Sequence, residues 1–322
     1  MRCLYHRRGT SPEKARQQVA PWVRVPRGTH SLGQGEVRSI SNFSGRTNSL
    51  NPAQGFGLSK LPSLPGFSLS GFSFGVQRAS GDFFDVLPAG DDALLLVVAD
   101  VMGHGEPAAP FAASLRKCIR ALAQSEASPA QLLTQVNQSM FEQLSRADTF
   151  ITAQVALVDA GRRRLTVASA GHCPLLLAGP CGQVNSISPE GMPLGILPDV
   201  SFAQQVLPLD GSCRVCLYTD GLTEARNSKG HLFGSDRLAA CLSQSVAGAQ
   251  TAEETCHGFL AELDTFRSQG RPQDDQTLLI LAEESNSTAL LPDSIIDVSR
   301  EVGLGQSSVQ VEAAQEEWLR AA

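Results

Sequence analysis

The stretch ALLLVVADVMGHGEPAAPFAASL, residues 93–115, decides how the rest of the chain is read. Its first seven residues are apolar without a break, the pattern of a strand covered on both faces. Asp100 then ends the buried run, and Gly103, His104 and Gly105 follow closely. A carboxylate at such a point is either a helix cap or a ligand for something positive. Past the glycines, Phe111, Leu115, Ile119 and Leu122 recur at helical spacing within EPAAPFAASLRKCIRALAQS.

Working outward, FSLSGFSFGVQR (67–78) alternates like a strand, and PAGDD (88–92) reads as a hairpin turn into the buried run. A second helix is expected over SPAQLLTQVNQSMFEQL, with Ser128 as N-cap and Pro129 in the first turn. Strands return in FITAQVALVDAGRRRLTVASAG, a hairpin turning at Asp159–Arg162, then in PLLLAG and SCRVCLYTDG. Helical stretches at SDRLAACLSQS and AEETCHGFLAELDTFRS precede a last strand, QTLLILAEE. Strands, two helices, strands, then helices and a strand suggest an α+β fold of antiparallel hairpins.

Composition narrows the function. The 322 residues are 42% hydrophobic and 18% charged, enough for a sizeable core. Residues 1–60 hold ten Lys/Arg against two Asp/Glu, so about +8; with −6 for the whole chain, about −14 is left for residues 61–322. An acidic body argues against nucleic acid as a partner and suits cation binding. No stretch approaches the ~18 apolar residues of a membrane span, and the N-terminus has no apolar export core. The eight cysteines lie mostly in apolar segments, which points to reduced thiols and a cytoplasmic protein. Cys213 and Cys216 form a C-x-x-C on a strand pattern, so they face opposite ways and chelate poorly. Residues 1–61 read as a basic, disordered segment, residues 62–284 as the folded domain, and residues 285–322 as a tail with a short helix.

Acidic residues mark several strand ends: Asp82 before one strand, Asp100 and Asp220 after two others, Asp274 and Asp275 before the last. One such residue is usually a cap. Carboxylates at four separate strand ends repel one another unless a cation neutralises them. All-oxygen ligands favour Mg²⁺ or Mn²⁺, and a pair of such ions roughly 3.5–4 Å apart suits hydrolysis of an anionic ester. There is no D-x-D-x-[TV] motif and no G-x-x-x-x-G-K-[ST] loop, which excludes two other phosphoryl-transfer classes.

Six motifs in order, SGDFFDVL, ADVMGHGEPAA, ASAGHCPLLL, GMPLGIL, YTDGLTEARN and DDQTLLIL, resemble the PPM-type, protein phosphatase 2C-like serine/threonine phosphatases. The bacterial branch of stage II sporulation protein E and the stress-response phosphatases is the nearer likeness. The resemblance covers about residues 62–284 and implies a central β-sandwich flanked by helix pairs. It implies that Asp100 bridges two Mn²⁺ or Mg²⁺ ions and that the Val101 carbonyl serves the second. Asp220 and Asp274 would hold the first, with Asp82 beside the second and Asp275 a neighbouring ligand. Arg78 matches the spacing of a phosphate-binding arginine, and His104 is a candidate proton donor. His172 reads as a turn residue. The implied substrate is a phosphorylated anti-sigma-factor antagonist; the rival reading is a catalytically silent module that sequesters a partner.

Overall fold

Residues 61–77, 79–124, 128–268 and 272–284 are described by the structure, a computed structural model. Along them run β1 (Phe67–Phe74), β2 (Phe83–Pro88), β3 (Ala93–Val101), α1 (Ala109–Leu122), α2 (Pro129–Arg146), β4 (Ile151–Asp159), β5 (Arg164–Ala170), β6 (Leu175–Ala178), β7 (Val184–Ile187), β8 (Gln204–Pro208), β9 (Arg214–Tyr218), α3 (Asp220–Thr223), α4 (Ser235–Ala247), α5 (Ala252–Arg267) and β10 (Gln276–Glu283). The strands form two five-stranded antiparallel sheets, in the orders β1-β10-β9-β6-β7 and β2-β3-β4-β5-β8. They pack face to face with helices outside, as an α+β sandwich.

Strand β3 shows why its sequence is apolar throughout. Leu94, Leu96 and Val98 point into the layer between the sheets, where they meet Val215, Leu217, Leu279 and Leu281. Leu95, Val97, Ala99 and Val101 point outward against Leu115, Ile119, Leu132 and Val136 of α1 and α2. Period-two alternation therefore feeds two cores at once. The other sheet does the same: Cys216, Tyr218, Leu278 and Ile280 pack outward under α4 and α5. Cys213 lies in the inner layer and Cys216 in the outer one, so the C-x-x-C pair does face opposite ways.

Local signals set the helix ends. Ser128 accepts a hydrogen bond from the Gln131 amide at the start of α2, which Pro129 opens. Thr251 and Glu254 form a reciprocal capping box on α5. Helix α1 is tied to β2 by Arg120, which grips Asp85 with two bonds of 2.7 and 2.8 Å, and by Arg116 stacked 4.7 Å over Phe83.

Three features depart from the sequence reading. Strand β1 stops at Phe74, and residues 75–77 bend into a loop where continued alternation was expected. Strands β7 and β8 are short and largely exposed, so no apolar alternation announces them. The single turn α3 follows directly on β9, with Asp220 as its first residue. The readings of residues 1–60 and 285–322 lie outside the described residues. Among the described residues no helix is long and apolar enough to cross a membrane.

Candidate active site

The acidic residues gather at one end of the layer between the sheets. On β3 the inward set Leu94, Leu96, Val98 continues to Asp100, the register partner of Thr152 on β4. Asp82, on the approach to β2, is only 6% exposed. Its Oδ2 accepts a 2.7 Å bond from the Thr219 hydroxyl, which in turn accepts from the Thr277 amide at 2.9 Å. One threonine thus joins the ends of β9 and β10 to the carboxylate leading into β2. Asp220 and Asp274 are the exposed members.

Gly221 explains how Asp220 and Asp274 come together. A Cβ on Gly221 would lie 1.9 Å from the Asp275 carbonyl oxygen, so the α3 turn and the 274–275 loop meet backbone to backbone. The Gln276 side chain closes the same seam by donating to the Gly221 carbonyl at 2.7 Å. Gly103, at φ 89°, turns the chain sharply just beyond Asp100 and Val101.

Asp275 differs from its neighbour. It is 4% exposed, and both oxygens are engaged: Oδ1 by the Val76 amide at 2.8 Å, Oδ2 by the Ser80 hydroxyl at 2.7 Å and the Gly81 amide at 3.0 Å. These bonds pull the chain after Phe74 out of β1 and across to Asp82. Asp275 therefore anchors the loop that delivers another acidic residue. Asp274 is exposed, and its Oδ1 accepts from the Asp275 amide at 2.9 Å.

Electrostatics tie the cluster together. Burial pushes the Asp100 carboxyl up to about 9, helped by the charges of Asp82, Asp220 and Asp274. Burial raises Asp82 to about 7, against the opposing bonds from Thr219 and Asp100. Asp220 is raised by burial first, then by Glu224 and Asp274. None of the ion pairs among the described residues reaches these four carboxylates. Uncompensated hard oxygen donors at one rim fit divalent cations such as Mg²⁺ or Mn²⁺. Among the described residues no group of three or more His, Cys, Asp or Glu side chains is placed so that it could hold a metal ion.

The remaining candidates are His104, Arg78 and His172. His104 is exposed beyond the Gly103 turn, and its Nδ1 is 2.9 Å from the Gln77 side-chain nitrogen. Arg78 lies outside the described residues. His172 is buried, with Nδ1 2.7 Å from the Thr152 hydroxyl and Nε2 3.1 Å from the Tyr218 carbonyl oxygen. Sequence reasoning passed over Thr219 and Thr152. For Thr152 the available signal was a polar residue on an inward-facing position of an apolar strand.

A helix-flanked sandwich of two antiparallel sheets with carboxylates converging at one end defines a PPM-type, protein phosphatase 2C-like phosphatase domain. Residues 90–283 match the family model for stage II sporulation protein E, and the chain belongs to that family. The phosphoserine phosphatase RsbU of Bacillus subtilis (strain 168) is 26% identical over 223 residues, 69% of this chain and 65% of RsbU. The PP2C domain of SiaA from Pseudomonas aeruginosa is 27% identical with a TM-score of 0.60, covering 66% of this chain and 85% of that one. RsbX, solved in complex with magnesium, shares the fold at 17% identity and a TM-score of 0.53, over 69% of this chain and 98% of RsbX. The chain spans less than two thirds of the length of the curated relatives it matches, at 65%, 34% and 38%.

Proposed function

We propose that this chain is a Mn²⁺- or Mg²⁺-dependent protein phosphatase that hydrolyses phosphoserine or phosphothreonine in a small anti-sigma-factor antagonist of a partner-switching pathway. The observation that carries the reading is the uncompensated cluster of Asp82, Asp100, Asp220 and Asp274, with Asp100 raised to about 9 by burial and by the other three charges. In a protein of this family such a cluster is best satisfied by bound cations. The name of RsbU supports the phosphoserine substrate class.

In this reading Asp100, at the end of β3, would contribute to both cation positions, with Asp220 and Asp274 at the first and the Val101 carbonyl and Asp82 at the second. Asp275 keeps Asp82 and the loop before it in register. Bound divalent cations supply a nucleophilic water and neutralise the phosphoryl oxygens. His104 gives a proton to the departing side-chain oxygen, with Gln77 holding its ring, and Arg78 grips the phosphate.

The test is release of phosphate from p-nitrophenyl phosphate and from a phosphoserine protein of this class, with Mn²⁺, with Ca²⁺ and with excess EDTA. Turnover is expected with Mn²⁺, weaker with Ca²⁺, which activates water less, and absent with EDTA. Full activity in EDTA rejects the metal reading. Tight binding of the phosphoprotein without turnover at any metal concentration favours the silent sequestering module instead.

A further inference from the structure

His172 lies in the turn between β5 and β6, outside the acidic cluster, and reaches both sheets. Its Nδ1 takes a 2.7 Å bond from the hydroxyl of Thr152, which sits opposite Asp100 in the β3–β4 register. Its Nε2 meets the carbonyl oxygen of Tyr218, the last residue of β9 and two before Asp220, at 3.1 Å. One imidazole therefore spans from the partner of the Asp100 strand to the strand that delivers Asp220.

The turn itself does not need this ring. The His172 amide donates to the Ser169 side-chain hydroxyl at 3.2 Å, which closes the turn without the ring. Burial holds the imidazole down to about 4, so at neutral pH it carries one donor and one acceptor. The Thr152 hydroxyl donates to Nδ1, and Nε2–H donates to the Tyr218 carbonyl, which fixes the tautomer. Other ties across this end run through acidic side chains: Thr219 donates to Asp82, and Asp275 accepts from residues 76, 80 and 81. The His172 bridge touches no carboxylate, so it resists spreading of the sheets without drawing on the charges themselves.

We infer that His172 is a positioning residue, whose paired bonds to Thr152 and Tyr218 set the distance between Asp100 and Asp220 and thereby the affinity of the cluster for divalent cations. The inference rests on the metal reading proposed above. Residues that orient ligands from behind commonly change metal affinity by ~10–100-fold when removed.

The experiment is a calorimetric Mn²⁺ titration of the full chain as wild type, Thr152→Val, His172→Phe, the double variant and Asp100→Asn, with thermal melts of each. Thr152→Val keeps the shape of the side chain and removes only the donor, so it decides the matter if His172→Phe fails to fold. The expected result is ~10-fold weaker Mn²⁺ binding in Thr152→Val, with a melting temperature within a few degrees of wild type. His172→Phe is expected to bind at least as weakly, and the double variant no more weakly than His172→Phe. Turnover of Thr152→Val should return toward wild type at saturating Mn²⁺. Wild-type affinity in both single variants overturns the inference and leaves the metal reading standing. Absence of Mn²⁺ binding by the wild type overturns the metal reading, and this inference with it.

Discussion

The middle and the rim of the inter-sheet layer are built from the same strands by opposite chemistry. In the middle, Leu96 on β3 and its neighbours Val98, Val215, Leu217 and Leu279 are wholly or almost wholly buried and apolar. A few residues along, the same inward face carries Asp82, Asp100, Thr152 and Thr219. The Gln154 side chain is fully buried there, and neither amide atom has a hydrogen-bond partner among the described residues. The middle gains free energy by removing carbon from water; the rim spends some of that gain holding unneutralised acids near one another. Stability and function are thus separated along each strand rather than between elements.

This division is best broken by paired substitutions on β3. Leu96→Ala should cost about 2–5 kcal/mol in urea unfolding, from lost burial and the cavity left behind. Turnover per folded molecule should be nearly unchanged, since Leu96 touches no acidic residue of the site. Asp100→Asn should do the reverse. Asn caps a helix about as well as Asp, so a cap would tolerate the change. A ligand would lose a charge and a strong donor, and turnover should fall at least ~100-fold, about 2.7 kcal/mol in the barrier. The melting temperature of the metal-free protein should hold or rise as repulsion from Asp82, Asp220 and Asp274 is relieved. Near-normal turnover at saturating Mn²⁺ would make Asp100 structural.

The middle was far more legible than the rim. An unbroken apolar run announces β3, and apolar spacing with Ser128 and Pro129 announces the helices, because these signals are local. The acidic residues were visible as interruptions at strand ends. What each does was not visible, because their partners lie far away in sequence. Asp274 and Asp275 are adjacent and identical, yet Asp275 is buried by donors from residues 76–81 while Asp274 remains exposed. Edge strands β7 and β8 escaped notice for the complementary reason: half-exposed pairing leaves no apolar period to read.

A smaller effect comes from His172, which belongs to the rim but is buried like the middle. Its ring is held down to about 4 by burial, against an ordinary value of 6.5. The unfolded chain therefore takes up a proton first as pH falls. The stabilising contribution is complete above about pH 6.5 and is lost progressively toward pH 4. Between pH 7 and 5 the wild type should lose about 2 kcal/mol more than His172→Phe in urea unfolding. The raised carboxyls of Asp82 and Asp100 act in the opposite direction, since acid relieves them, and they are common to both proteins. Equal losses in the two proteins would show that the imidazole already accepts a proton in the fold.

The finest test concerns the seam where the rim is assembled. Gly221 has no side chain, and a methyl group there would fall 1.9 Å from the Asp275 carbonyl oxygen, a distance no packing tolerates. Gly221→Ala must therefore part the α3 turn from the 274–275 loop by more than an ångström. Gly221 is buried and Leu222 beside it belongs to the apolar layer under α4 and α5, so the melting temperature should drop by several degrees. Asp220 and Asp274 sit on the two sides of that seam, and widening it draws apart two oxygen donors without altering either charge. Metal affinity should then weaken by ~10-fold, about 1.4 kcal/mol, with turnover recovering as Mn²⁺ is raised. Asp100→Asn should recover less, because there the donor itself is gone. Unchanged Mn²⁺ affinity in a folded Gly221→Ala protein would mean that Asp220 and Asp274 do not serve one cation, and the assignment of the first metal position to that pair would fail.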